Sequence, residues 1–434
     1  MSPPAFLASA LGHVRTPLYR NAYSLMVSNG LTSALGLVYW SICARAYPTE
    51  VMGASSAAIS MMLFLSGAAQ LNLRPALLRL LPESGERASW LVRRAYVLVV
   101  LLSALTALVV FGGGAVAGAP WSAIGELASP IGVALMVAGT VCWSIFNLQD
   151  GVLTGLRRTG WVPIENGAYA VVKIGFVLAC VVALPTMGIV VSWIVPTVVI
   201  VVIVTAVLVL RWLPAYMASH GDRRPSMDRR TLMTFVAADS AGALFALGAS
   251  TLLPVLVVGA VGPATGAYFA ITWTIISALM LVPINMAASL TVESVHTQVA
   301  LGPQVRRLAG HLYRLLIPLV VAVIVFAELG LRIFGAAYSE NATVALRIGV
   351  LGLLPFAANT LFLATARIRA RSRDILVVQA VAAVLTLALS AMLLDRMGIA
   401  GVTLAWLIAQ SLVALVVTPT QLLPLVRGRE ASRA

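Results

Sequence analysis

Twelve stretches of about 20 residues carry few charges and are separated by short polar gaps. An α-helix of that length spans the ~30 Å hydrocarbon core of a bilayer. The pattern predicts helices over roughly residues 22–44, 51–72, 92–116, 129–149, 162–184, 188–210, 234–258, 264–287, 312–334, 344–366, 375–394 and 399–422. Backbone polar groups in lipid must be paired within the segment, so the fold class is an all-α integral membrane protein with about 12 transmembrane helices. The longest polar interruption, Arg211 to Arg230, separates the sixth span from the seventh and predicts two six-helix bundles. The expected organisation is a cytoplasmic segment 1–21, an N-lobe of helices 1–6 over 22–210, a basic cytoplasmic linker 211–233, a C-lobe of helices 7–12 over 234–424 and a cytoplasmic tail 425–434. A faint repeat agrees: Met187-Gly188-Ile189 recurs as Met397-Gly398-Ile399 at an offset of 210, which also carries Arg157 onto Arg367. Such spacing suits two parallel halves.

Charge orients this arrangement. Of 28 arginines, 24 fall in the termini or in gaps after even-numbered spans, while Arg45, Arg332, Arg347 and Arg396 follow odd-numbered ones. Under the positive-inside rule both termini are cytoplasmic, N-in and C-in. The net charge of +14 would suit nucleic acid if it were clustered on one face, but it is spread over seven cytoplasmic segments. Anionic membrane lipids are the expected partners, and nucleic acid is not. Cys43, Cys142 and Cys180 lie in different spans, which argues against a disulfide framework. The chain has no Gly-x4-Gly-Lys-Ser/Thr, His-Glu-x-x-His or Cys-x-x-Cys motif, and its four histidines are scattered. Outer gaps are too short for a folded catalytic domain. Neither enzyme chemistry nor a metal or cofactor is expected.

Charge deep inside a span is costly and therefore informative. Lys173, the single lysine, lies twelve residues past Trp161, about 18 Å into the fifth span. Glu165 is two turns earlier on the same face, with Tyr169 between them. Two readings stay open: a structural pair, or an inward-facing cation for an anionic substrate. Asp239 enters the seventh span, and if the first helix of each half lines a cleft, Asn29, Tyr39 and Arg45 share it. Asn147, Gln149, Asp150, Asn285 and Asn359 are expected mainly to join helices. Pro196, Pro254, Pro283, Pro318 and Pro355 fall inside spans and predict kinks.

The run Asn147-Leu148-Gln149-Asp150-Gly151-Val152-Leu153-Thr154-Gly155-Leu156-Arg157-Arg158, with Trp161-Val162-Pro163-Ile164-Glu165-Asn166 and Lys173, resembles polysaccharide-biosynthesis flippases of the multidrug/oligosaccharidyl-lipid/polysaccharide exporter superfamily. Ala69-Gln70-Leu71-Asn72-Leu73, Pro283-Ile284-Asn285 and Phe334-Gly335-Ala336-Ala337-Tyr338 are also similar. The resemblance implies two six-helix bundles around a basic cavity, in a bacterial plasma membrane, moving polyprenyl-linked oligosaccharides outward by alternating access. Polysaccharide polymerases or glycosyltransferases are then expected companions. Lys173 fits that cavity, and Arg45 is the nearest further cation. A cation-coupled drug or metabolite exporter of the same fold is the alternative, followed by a non-transporting scaffold of a glycan-assembly complex. A major-facilitator transporter is disfavoured because Leu73 to Arg87 lacks the Gly-x3-Asp-Arg-x-Gly-Arg-Arg loop.

Overall fold

The computed structural model describes the backbone of residues 17–220, 229–296 and 301–427, and the side chains of these except 17–29, 31, 220, 229–239 and 291–296. The chain order is α1 (Pro17–Ala46), α2 (Thr49–Ala69), α3 (Gly85–Ala117), α4 (Pro130–Gly155), α5 (Trp161–Ala183), α6 (Gly188–Ser219), α7 (Arg229–Val261), α8 (Pro263–His296), α9 (Leu301–Arg332) and α10 (Ala336–Ile368). A final stretch, Ser372–Val426, is two helices joined at Gly398, α11 over 372–397 and α12 from 399 onward. Each of the twelve predicted spans therefore has its helix.

The helices differ from the predicted spans chiefly at their inner ends. Helix α9 begins eleven residues before residue 312 because its first turns are amphipathic: Gly302 and Val305 are buried while Arg306 and Arg307 are exposed. A reading that stops at clustered charge stops too soon on such a helix. For the same reason a short basic helix, Leu73–Leu80, was not foreseen; it buries Ala76 and Leu77 and exposes Arg79. Pro196, Pro254, Pro283 and Pro318 do lie inside helices. Pro355 does not: α10 breaks at Gly352 and restarts at Leu353, so this proline occupies a first turn, where its missing N–H costs nothing.

Gly398 has φ 58° and ψ −146°, backbone that a side chain strongly disfavours, which turns α11 into α12 instead of continuing it. At the other glycine that matters for assembly, α2 meets the start of α8: a Cβ on Gly53 would overlap the carbonyl of Pro263. This close approach lies at the outer end of the seam between the lobes. Nearby, the Arg45 guanidinium at the end of α1 donates from Nε to the Ile333 carbonyl at 2.6 Å and from Nη2 to the Arg332 carbonyl at 3.3 Å. A cation on the terminal carbonyls of α9 is favourable there.

The distribution of buried side chains matches this seal. One cluster spans both lobes, joining Tyr39, Met52, Ile59 and Trp193 to Phe269, Leu316, Tyr338 and Trp406. Towards the inner face, the cores separate among the described residues. One, around Leu81, Val92, Leu148 and Trp212, belongs to the N-lobe; the other, around Leu290, Val305, Phe362 and Val417, belongs to the C-lobe. The α2–α7 seam still holds at the inner side, where Ser240 Oγ donates to the Leu71 carbonyl at 2.9 Å.

Candidate functional site

Between the lobes lies a chamber of about 400 Å³. Trp40, Ser56, Ser60 and Trp193 face it from the N-lobe, and Ser250, Thr251, Trp273, Thr274 and Ser277 from the C-lobe. A second chamber of about 550 Å³ occupies the inner half of the C-lobe, walled by α7, α8, α10, α11 and α12. The two adjoin, sharing Ser250, Trp273, Met280 and Ile284. The second reaches Arg367, an exposed arginine at the inner end of α10. The space thus runs from the middle of the protein towards the arginine-rich inner side and ends beneath the outer seal.

Lys173 stands just behind this space. It is only 6% exposed, and its ammonium lies 3.8 Å from the ring centre of Trp193, 4.3 Å from Tyr39 and 5.1 Å from Tyr169. Cation–π contacts of this kind contribute roughly 0.5–2 kcal/mol each. The cage is held in place across helices, because the Tyr39 hydroxyl donates to the Ile189 carbonyl at 3.0 Å and meets Ser192 Oγ at 3.0 Å. Trp193 caps Lys173 on one side and lines the central chamber on the other. The charge therefore faces the chamber through an indole.

Of the two readings left open for Glu165 and Lys173, the structural pair is not formed. Both Glu165 carboxylate oxygens are buried without a hydrogen-bond partner, and the side chain is 4% exposed. Two helical turns separate the residues by ~12 Å along the axis, too far for contact. Glu165 does not line either chamber. Arg45 also lies away from both, spent on the outer clamp in this conformation. Asn29 and Asp239 fall on α1 and α7, but their side chains lie outside the described residues.

Sequence reasoning missed Arg367, Gln379 and Gln410 as lining residues and treated Asn359 as mere glue. Asn359 is in fact both: Nδ2 donates to the Gln410 carbonyl at 3.0 Å and to Gln410 Oε1 at 2.9 Å, on the wall of the C-lobe chamber. At the matching N-lobe position, 210 residues earlier, Gln149 Nε2 donates to the Val201 carbonyl at 3.2 Å and to Thr205 Oγ1 at 2.8 Å. The available signal was that repeat, which the Met-Gly-Ile motif only hinted at.

The family model for "polysaccharide biosynthesis protein" matches residues 18–254, more than half of the chain. The chain belongs to the polysaccharide biosynthesis protein family. Within the solved structures, a multidrug-resistance MATE family transporter of the MOP superfamily, in an inward-facing conformation, aligns over 93% of this chain and 96% of its own, with 15% identity and a TM-score of 0.71. The lipid II flippase MurJ, in an inward closed conformation, aligns over 93% and 89%, with 13% identity and a TM-score of 0.67. A mutant of the Vibrio cholerae MATE transporter VcmN aligns over 95% and 97%, with 14% identity and a TM-score of 0.62. Identities this low speak for the fold alone. A comparison with curated proteins finds no match. This member of the polysaccharide biosynthesis family carries, among the described residues, ten helical stretches long and apolar enough to cross a membrane, and it shares the fold of MATE transporters and of MurJ.

Proposed function

We propose that the protein carries a polyprenyl-(di)phosphate-linked oligosaccharide from the inner to the outer leaflet of a bacterial plasma membrane during cell-surface polysaccharide biosynthesis. The observation that carries this reading is the pair of adjoining chambers, closed at the outer seam and reaching Arg367 at the inner side, in a chain of this family. A lipid-linked glycan needs a protein path only for its polar head, since its tail stays in hydrocarbon. The central chamber offers hydroxyls from Ser56, Ser60, Thr251 and Ser277 together with the flat faces of Trp40, Trp193 and Trp273. That mixture suits a sugar, which has apolar ring faces and polar edges.

Lys173 supplies positive potential to the chamber through Trp193 in this proposal, without bonding to the substrate. Arg45 meets the anionic group later, when the outer clamp opens and frees its guanidinium. Asn29 and Asp239, on the first helix of each lobe, belong to the inner mouth. Partner polymerases or glycosyltransferases would hand over and receive the carrier.

The decisive experiment is depletion of the protein in cells, followed by extraction of lipid-linked glycan. Glycan-loaded carrier should build up on the inner leaflet while sensitivity to cationic drugs stays unchanged. Normal surface glycan with raised drug sensitivity would replace this reading with a cation-coupled multidrug exporter.

A further inference from the structure

The two lobes repeat in sequence and in side-chain clamps, yet their interiors are filled differently. At the offset of 210, Phe146 corresponds to Phe356, Gln149 to Asn359 and Arg157 to Arg367. On the next helix, Tyr169 corresponds to Gln379 and Lys173 to Ala383. In the N-lobe these positions pack: Phe146, Tyr169 and Lys173 are all buried, with the Phe146 and Tyr169 ring centres 5.3 Å apart. In the C-lobe the aromatic ring and the long cation are replaced by an amide and a methyl, and the space they vacate becomes the chamber of about 550 Å³. Protein interiors are close-packed, so a space this large beside a repeat that fills its counterpart calls for an occupant.

The wall specifies what that occupant is. Arg367 stands at the inner mouth, and no carboxylate pairs with it among the described residues. Asn359 is 4% exposed with its Oδ1 unpartnered, while Gln379, half-buried on the chamber wall, packs its Oε1 against Gly242 of α7. Asn359 thus brings an unused acceptor to the chamber wall, and the Gln379 side chain lines it without offering one. At the deep end, Trp273 and Trp406 meet edge to face at 5.6 Å, presenting aromatic surface to the same space. An anion-binding group at the mouth, an acceptor on the wall and indoles at the end describe a sugar bearing a phosphate. From Phe356 to Arg367, eleven helical residues span ~16 Å, long enough for a sugar and its diphosphate.

We propose that the C-lobe chamber is a binding site for the glycosyl phosphate end of the substrate, with phosphate on Arg367, a sugar hydroxyl donating to Asn359, the ring against Trp273 and Trp406, and Gln379 leaving the room that a larger side chain would fill. The proposal rests on the flippase reading above and adds the place where the substrate loads. The head group enters the C-lobe from the inner leaflet while the prenyl tail stays in the bilayer. From there the shared wall of Ser250, Trp273, Met280 and Ile284 leads to the central chamber.

The test uses the full chain in nanodiscs and measures binding of undecaprenyl-diphosphate-linked N-acetylglucosamine by native mass spectrometry. Undecaprenyl phosphate and dioleoylphosphatidylglycerol serve as sugar-free comparators. The wild type should bind the sugar-bearing probe about tenfold or more tightly than either comparator. Arg367→Gln should weaken that binding about tenfold, as loss of a charge-assisted contact does, and Gln379→Tyr, which installs the N-lobe residue, should abolish it. Arg373→Gln, an exposed inner arginine outside the chamber, should leave it unchanged. Equal binding by wild type, Arg367→Gln and Gln379→Tyr overturns the proposal, and so does equal affinity for undecaprenyl phosphate. Should Gln379→Tyr fail to fold, the exposed Arg367 position decides by itself. Accumulation of glycan-loaded carrier on depletion, together with binding insensitive to both variants, would refute this site and leave the flippase reading standing; no accumulation would refute that reading separately.

Discussion

Lys173 owes its environment to the residues around it, because α5 alone would present a bare ammonium to the lobe interior. Tyr39 from α1, Tyr169 from its own helix and Trp193 from α6 supply three ring faces in place of the missing carboxylate. Charge should therefore matter more than chain length. Lys173→Met should insert and fold yet lower transport of lipid-linked glycan by about tenfold or more, whereas Lys173→Arg, which keeps a cation able to lie on aromatic rings, should retain much of it. Full transport by the methionine variant in proteoliposomes would make the cage purely structural. Glu165 calls for the opposite expectation. Its two unpartnered oxygens are better served by an amide than by a buried charge, so Glu165→Gln should raise the thermal unfolding midpoint, by roughly 2 °C or more. A lower midpoint would mean that the carboxylate has a partner after all.

At the scale of the helices, the outer seam depends on small features whose effects are large. Gly53 allows α2 to touch the Pro263 carbonyl, and Arg45 ties α1 to the last carbonyls of α9. Gly53→Val and Arg45→Gln should each loosen that end. With the native cysteines replaced and one cysteine introduced at Ser277 in the central chamber, both variants should react faster with an impermeant thiol reagent from outside. Unchanged reactivity would mean that the seal lies elsewhere. Gly398→Ala should destabilise the α11–α12 turn by about 1–3 kcal/mol, read as a lower unfolding midpoint, because the backbone there suits glycine alone. These elements were unevenly legible from sequence. Spans without charge, such as residues 188–210 of α6, announced themselves, while the amphipathic start of α9 and the helix Leu73–Leu80 were hidden because their arginines looked like loop. The site was harder to read. Trp193 and Trp273 are 80 residues apart and nothing in their spacing says that they share a chamber; only the fold brings α6 opposite α8. Arg367 was visible all along, but as one of many inner arginines it carried topology and no hint of a ligand.

For the molecule as a whole, orientation decides whether the chambers load from the cytoplasm or receive from outside. Arginine asymmetry places the Arg367 mouth inside and the Arg45 clamp outside, and the separate inner cores agree with a conformation that opens inward. The chambers themselves carry no such sign, so reversed insertion would turn the same geometry into an importer. Direct labelling settles this. Ser339, on the outer part of α10, is unsuitable because it is buried with its hydroxyl donating to the Glu328 carbonyl at 3.0 Å; its neighbour Glu340 is exposed. In a cysteine-free background, Glu340→Cys should react with an impermeant maleimide added to sealed cells, and Arg373→Cys, exposed at the start of α11, should react only after the membrane is permeabilised. Reaction at Arg373→Cys in intact cells would reverse the topology, put the loading chamber on the outside and remove the basis for outward flipping.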